Sequence, residues 1–453
     1  MKINTPVQKN EDISLHIDSL TAQGQGIGKV DGFAMFVPQA LPGEDVDAHV
    51  IKVHTGYGIA KLKAVRNPSP NRAAPRCPVY AQCGGCTLQH VRYEAQLAAK
   101  HAQVQDAIRR LGGFTDVKVE PVLGMTEPWR YRNKGSFPLG SGGSGVVMGF
   151  YAPHSHRIVP MEDCPIQDAR GIAAACAVRD WAEQYGIAPY DEATQRGDLR
   201  HVMARTSAQG VMAVIVTTGK LPQRDALVAN LKKRVPDLAC VLHNINRTAS
   251  NVILGGEYAL VYGAARLETN IGGLRFDVSA QSFLQVNPTQ TEALYQTVLS
   301  FLNLNGEETV ADVYCGIGAI SLLLAKAAKK VIGIDNVAEA VEDARRNAAQ
   351  NDIRNAEFIC GNAEDALPAL VAQGAALQAI VVDPPRKGCE QAALQAILRS
   401  GAKRVVYVSC DPATLARDCR ILADGGLRIA RVQPVDMFPH TGHVETVVLL
   451  EKI

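Results

Sequence analysis

"VADVYCGIGAISLLLA" (residues 310–325) decides the fold. Its first part is apolar and β-branched, its last part has the apolar density of a buried helix, and Gly316-Ile317-Gly318 lies between them. A strand that runs through a tight glycine turn into a helix is the opening unit of a doubly wound α/β sheet. The two glycines let the turn backbone approach a ligand that a Cβ would hold off. The next apolar run, "KVIGID", ends on Asp335. A carboxylate at that strand tip can accept hydrogen bonds from both hydroxyls of an adenosine ribose. The third glycine of the dinucleotide fingerprint is missing, which turns the reading from NAD toward a cofactor without pyrophosphate, such as S-adenosylmethionine.

Outward from this turn the pattern is regular. Helical "TEALYQTVLSFLNL" (291–304) precedes it, and strands "AEFIC", "LQAIVVD" and "RVVYVSC" follow, each separated by a helical stretch. The alternation predicts a parallel sheet with helices on both faces. Ligands of such sheets sit beyond the carboxyl ends of the strands. Three of those ends carry polar or reactive groups: Asp335, Asp383 in "IVVDPPRKG", and Cys410 in "VVYVSCDPATLARD". Pro384 and Pro385 stiffen the exit that aims Asp383. A core cysteine would lie within the apolar run, whereas Cys410 sits at its tip. A thiolate there is a soft nucleophile suited to an electron-poor carbon. C5 of uracil cannot take a methyl group unaided, but thiolate addition at C6 makes an enolate that can. A base must then remove the C5 proton, and Glu445 in "DMFPHTGHVETV" is the candidate.

Toward the N-terminus, "ISLHIDSL", "FAMFVP", "DVDAHVIKV" and "GIAKLKAV" are four β-rich runs broken by turn residues. They predict a small β-barrel. "RNPSPNRAAP" (66–75) reads as a linker with exposed arginines. Cys77, Cys83 and Cys86 follow in "CPVYAQCGGC", and Cys164 comes later in "EDCPIQ". Four thiolates suit tetrahedral zinc or a [4Fe–4S] cluster by count, and the spacing is not that of a paired zinc ribbon. The fourth cysteine closes the set, which argues against a radical-generating cluster with an open iron. The other cysteines lie mostly in apolar runs or helices and read as structural. "WRYRNKGSFP" (129–138) mixes Arg130, Arg132 and Lys134 with aromatics, a composition suited to phosphate contact and base stacking. Lys52, Lys61 and Lys63 offer a second basic surface on the barrel.

The division expected is a barrel over 1–67, a mixed α+β central unit over 68–275 whose helix at about 91–111 packs on the catalytic part, and a Rossmann-like unit over 276–453. A net charge of +2 neither demands nor excludes nucleic acid. The polar N-terminus and the lack of a long apolar run argue for a cytoplasmic protein away from membranes, a monomer, with cysteines reduced or metal-bound.

"FLQVN" (283–287), "DVYCGIG", "DPPRKG", "VSCDPATLARD" and "DMFPHTGHVE" together resemble the RNA uracil-C5 methyltransferases, and the likeness spans nearly the whole chain. The barrel resembles the TRAM module of members acting on 23S ribosomal RNA, and the cysteine set resembles their iron–sulfur site. The resemblance implies S-adenosylmethionine held by Gln285, Tyr314, Gly316, Asp335 and Asp383, with Cys410 as nucleophile and Glu445 as base. It implies a [4Fe–4S] cluster on Cys77, Cys83, Cys86 and Cys164, and RNA as partner, ribosomal before transfer RNA. Three rival readings remain. An adenine amino-methyltransferase would not need Cys410. A non-catalytic ribosome-assembly factor would not need Cys410 with Glu445. A nicotinamide dehydrogenase would bind a different cofactor.

Overall fold

The computed structural model describes residues 5–143 and 145–453, so the first four residues of the expected barrel unit and Ser144 lie outside the described residues. Five strands close the N-terminal barrel in the order β1-β2-β3-β5-β4. They are β1 (Asp12–Leu20), β2 (Gln25–Val30), β3 (Phe33–Pro38), β4 (Asp45–Val53) and β5 (Tyr57–Val65). The strand that sequence patterning missed is β2, "QGIGKV", whose glycines mimic a turn. They are there for close packing: a Cβ on Gly28 would stand 2.1 Å from the His16 carbonyl oxygen. Alternate residues such as Ile13, Leu15 and Ile17 fill the barrel, as a period of two requires. The linker is docked rather than free. Arg72 pairs at 2.6 Å with Glu44, whose side chain is fully buried.

α1 (Tyr93–Asp106) runs on into a π-helical turn, Ala107–Leu111. Val104 and Ile108 join the core of the C-terminal sheet, so this helix packs on the catalytic part of the molecule. A seven-stranded sheet follows, in the order β12-β11-β10-β9-β6-β7-β8. Its strands are β6 (Lys134–Gly142), β7 (Gly145–Tyr151), β8 (Ile158–Pro160), β9 (Leu199–Ser207), β10 (Gly210–Thr217), β11 (Leu238–Ile245) and β12 (Glu257–Gly263). α2 (Ala169–Gln184) and α3 (Arg224–Arg234) belong to the same unit, and the hairpin β13 (Leu267–Ile271) with β14 (Leu274–Val278) leads out of it.

The C-terminal sheet has the order β17-β16-β15-β18-β19-β21-β20. Its strands are β15 (Thr309–Val313), β16 (Lys330–Asp335), β17 (Ala356–Cys360), β18 (Ala379–Val382), β19 (Arg404–Ser409), β20 (Leu427–Val435) and β21 (Glu445–Lys452). Its helices are α4 (Pro288–Leu302), α5 (Ala319–Ala325), α6 (Ala338–Gln350), α7 (Ala363–Ala372), α8 (Gln391–Ser400) and α9 (Pro412–Asp424). The first five strands of the order are parallel, as expected. The last two are an antiparallel pair, β21 also running antiparallel to β19. Alternation of strands and helices does not announce such a hairpin, because its strands are joined by a loop. The chain leaves β15 toward β16 and returns on its other side at β18, so β15 and β18 flank the switch point where doubly wound sheets bind ligands. No helix among the described residues is long and apolar enough to cross a membrane.

Candidate active site

At the tip of β15 the chain turns through positive φ three times, 69° at Tyr314, 54° at Gly316 and 81° at Gly318. A bulky residue in the left-handed region is strained by about 1–3 kcal/mol. Tyr314 is held there by its amide bond to the Ile334 carbonyl, 2.8 Å. Gly318 has a second reason to lack a side chain, since its Cβ would meet the Phe358 ring at 3.2 Å. At Gly316 a Cβ would meet nothing within 4 Å, so the turn faces open space at that residue. Asp335 braces the turn: Oδ2 accepts from the Gly316 amide and Oδ1 from the Val337 amide, both at 2.9 Å.

Cys410 and Glu445 are far apart in sequence and are brought together by register. Ser409 on β19 pairs with Thr446 on β21, so the residues just outside that pair are the thiol and the carboxyl. Asp411 then caps α9, its Oδ1 accepting from the amides of Ala413 and Thr414 at 2.9 and 3.0 Å. Pro412 starts that helix, where its missing N–H costs nothing. Asp411 and Pro412 therefore turn the chain sharply out of the strand and leave the Cys410 thiol at the corner.

The electrostatics join the three strand tips. Burial, then the Glu445 charge, push the Cys410 thiol up to about 11, while a hydrogen bond and the charge of Arg386 pull the other way. Glu445 is pushed up to about 8 by burial and by Asp383. Asp383 is pushed up to about 7 by burial and by Asp312. Asp312, completely buried, takes Ser321 Oγ at 2.5 Å and rises to about 7 from burial, with Asp335 adding to it. The Tyr295 phenol is buried among Asp383, Asp312 and Glu445. The crevice therefore holds carboxyls that are neutral or half-ionised near pH 7, and a cationic ligand would draw them toward the ionised form. Arg386, Asp312 and Tyr295 were not singled out from sequence. Arg386 was legible as the next residue of "DPPR"; the other two lie inside apolar or helical patterns and carry no signal.

Gln285 lies outside this set of contacts. It lines a small cavity with Asn133 and Thr291, and its carbonyl accepts from Asn133 Nδ2 at 3.5 Å. The basic and aromatic run at 129–138 also differs from its reading. Arg130 forms a two-pronged pair with Asp163 at 2.6 Å. Trp129 stacks on His440 at 3.8 Å, and Tyr131 and Phe137 are buried. These aromatics pack within the fold. Lys134 stands across from Arg205, on the neighbouring strand. Burial, then Arg205 and Arg132, push the Lys134 ammonium down to about 8.

Cys77, Cys83, Cys86 and Cys164 line one cavity of about 230 Å³ with Tyr80, Arg132 and Thr441. Cys86 is pushed up to about 12 by burial and by the other three thiols. Among the described residues no group of three or more His, Cys, Asp or Glu is arranged to hold a metal ion. Four thiols on one cavity are the donor type that either zinc or an iron–sulfur cluster takes. Cys360, expected to be structural, is exposed at the end of β17.

The family model described as tRNA (Uracil-5-)-methyltransferase matches residues 223–453, and the TRAM domain model matches residues 6–63. A Halalkalibacterium halodurans protein described as an uncharacterized RNA methyltransferase is 48% identical over 99% of each chain. A Bacillus cereus protein with the same description is 46% identical, covering 100% of this chain and 99% of its own. The crystal structure of Pyrococcus abyssi tRNA (uracil-54, C5)-methyltransferase in complex with S-adenosyl-L-homocysteine superposes with a TM-score of 0.78. It is 27% identical and covers 96% of this chain and 99% of its own.

Proposed function

From the premise that the chain belongs to the S-adenosylmethionine-dependent RNA uracil-C5 methyltransferase family, we propose that it methylates C5 of a uridine in 23S ribosomal RNA through a covalent Cys410 adduct. The observation that carries the residue roles is the register Ser409 to Thr446, which sets a strand-tip thiol beside a buried carboxyl. The thiolate adds to C6 and the C5–C6 π electrons move onto O4. C5 then takes the methyl from the sulfonium, leaving the thioether. Glu445 removes the C5 proton, the C5–C6 double bond re-forms, and the C6–S bond breaks. Arg386 and the incoming sulfonium are the two cations that bring the thiol toward thiolate, its proton passing to solvent before C6 is attacked. Asp335 takes the ribose hydroxyls above the Gly316 turn, and Asp383 faces the methionine portion.

Ribosomal over transfer RNA rests on the barrel and the cysteine set together. The Pyrococcus abyssi relative acts on transfer RNA, so the two substrates are tested side by side. In this reading the barrel (1–67) grips RNA, the central unit (68–275) carries the cluster, and 276–453 is the catalytic unit of a cytoplasmic monomer. Cys77, Cys83, Cys86 and Cys164 would hold a [4Fe–4S] cluster, which when bound would cross-link the segment before α1 to the segment before α2.

The test has two arms. Mapping 5-methyluridine in total RNA from cells with and without the gene names the substrate; a site lost from transfer RNA alone would overturn the ribosomal assignment. Cys410→Ala should bind RNA and cofactor yet make no 5-methyluridine. Glu445→Gln should accumulate a heat-stable RNA–protein band that carries the methyl group. RNA with 5-fluorouridine should trap the unmodified enzyme in the same form, since fluorine cannot leave as a cation. Product formation by Cys410→Ala would show that the thiol is not the nucleophile.

A further inference from the structure

The loop 436–444 between β20 and β21 holds none of the reacting groups, yet buried polar contacts seize it at its start and at its apex. Its first residue, Asp436, follows Val435, whose partner across the β20–β21 ladder is Glu445. Asp436 is fully buried and pairs at 2.5 Å with Lys100 of α1, itself 1% exposed. Tyr93, also on α1, donates to the second carboxylate oxygen at 2.7 Å and accepts the Met125 amide at 2.9 Å. Lys100 donates again to the Phe438 carbonyl at 3.1 Å. The loop is thus gripped by one helix at its first and third residues.

The apex is held just as firmly. His440 adopts φ 65°. Its carbonyl accepts the amides of Thr87 and Leu88, at 3.0 and 2.9 Å, immediately after Cys86. Its ring donates from Nε2 to the Pro128 carbonyl at 3.0 Å and accepts at Nδ1 from Gln96 at 3.2 Å. That arrangement requires a neutral imidazole, in keeping with burial pushing it down to about 4.

A buried ion pair is a poor device for stability, because desolvation cancels much of the attraction and a well-packed apolar pair does as well. What it supplies is orientation. Glu445 takes its orientation from the backbone: its carboxyl is buried near Asp383 and Arg386, and the residue itself pairs with Val435 at the β20–β21 mouth. The carboxyl stands where the backbone at the β20–β21 mouth puts it, and Asp436 is the residue that anchors that mouth.

We propose that Lys100 and Asp436 are a positioning pair for proton removal by Glu445, holding the β20–β21 mouth so that the carboxyl meets C5 of the methylated adduct. The proposal rests on Glu445 as the base. Its signature is selective: addition and methyl transfer proceed, and release of the finished base slows.

The test uses full-length protein purified anaerobically, with iron content measured, and RNA from cells lacking the gene. The double variant Lys100→Met with Asp436→Asn removes both charges together, so no unpaired buried charge is left to unfold the chain. It should bind cofactor as the unmodified protein does and form adduct at the same rate. Turnover should fall about 10- to 100-fold, the scale of a misplaced catalytic group, with methylated RNA–protein adduct accumulating on denaturing gels. Lys100→Arg, which keeps the charge, should recover part of the turnover. The pair Arg404→Met with Glu308→Gln, at the far end of β19, serves as a control, and it should accumulate no adduct. Unchanged turnover, or a loss spread over addition and release alike, would overturn the proposal and leave the pair structural. If Glu445→Gln itself gives no methylated adduct, the base assignment fails instead, and the two failures are thereby told apart.

Discussion

Cofactor binding should release a proton, and its pH dependence should separate the sulfonium from its thioether product. Asp383 and Glu445 are pushed up to about 7 and about 8, each first by burial. Near pH 7 Glu445 is largely protonated and Asp383 about half protonated in the free protein. A sulfonium at about 5 Å from a carboxylate, at an effective dielectric of about 20, gains about 3 kcal/mol. That energy is worth roughly two pKa units. Binding should therefore draw Glu445 from about 8 down to roughly 6, with one proton leaving in the window between. The dissociation constant of S-adenosylmethionine should fall from pH 6 to pH 8 by up to about 100-fold, the tenfold per pH unit of one released proton. S-adenosylhomocysteine, lacking the charge, should bind with little pH dependence. Titration calorimetry in two buffers of different ionisation enthalpy counts the protons directly. Glu445→Gln should abolish most of the release and Asp383→Asn the remainder. Equal pH dependence for the two ligands, or no proton release at pH 7, would mean that these carboxyls do not face the sulfonium.

Four further outcomes follow from the geometry. Glu445 is raised from 4.5 to about 8 in the folded chain, so the stability it contributes is complete below 4.5 and lost as pH rises toward 8. Thermal or urea unfolding should show Glu445→Gln gaining on the unmodified protein through that window, by at most about 1.4 kcal/mol per pH unit; parallel curves would refute the burial argument. Asp335→Ala should weaken S-adenosylmethionine by about 1.5–3 kcal/mol and leave cofactor-free RNA binding almost unmoved, as read by calorimetry and filter binding. Arg205 is 1% exposed, and only its Nη2 finds a partner, the Ser282 carbonyl at 2.7 Å, while Nε and Nη1 have none among the described residues. Arg205→Met should therefore raise the free energy of unfolding by about 1–3 kcal/mol, while loosening the 279–287 loop enough to cost turnover; a lower unfolding free energy would show the charge is satisfied. Anaerobic protein should be brown with about four iron and four sulfide per chain, and Cys83→Ser colourless; stoichiometric zinc without iron would sink the cluster.

The reach of sequence reasoning ended where contacts became non-local. The glycine turn was legible because a strand, two glycines and a helix are consecutive, and Asp335 because it closes the next strand. β2 of the barrel was not, because the closeness of its glycines to the His16 carbonyl oxygen looks, in sequence, like a turn. Cys410 and Glu445 were legible as chemistry, each at the edge of an apolar run, but not as neighbours. Their meeting depends on a terminal antiparallel strand that periodicity does not distinguish from the parallel ones before it. Asp312 was invisible for the opposite reason, being one acid inside an apolar strand.

The basic and aromatic run at 129–138 shows how composition misleads. Arg130 and the aromatics have the makeup of an RNA-binding strip, yet the arginine is taken by Asp163 and Trp129 by His440. Trp129 and Tyr131 instead hold the loop that leads to Glu445, one through the His440 ring and the other through the Pro439 carbonyl. Lys100 lies at the middle of α1, and nothing in the neighbouring sequence marks it as buried. It is 1% exposed because its partner, Asp436, arrives from the other end of the chain. A lysine whose burial is explained only by an acid 336 positions away cannot be read from local pattern. Such long-range pairs are where the cysteine-bearing half of the chain acts on the catalytic half. If proton removal depends on that contact, the central unit contributes to the chemistry itself. Disturbing the cysteine loop at Thr87 and Leu88 should then change the lifetime of the adduct before it changes the affinity for RNA.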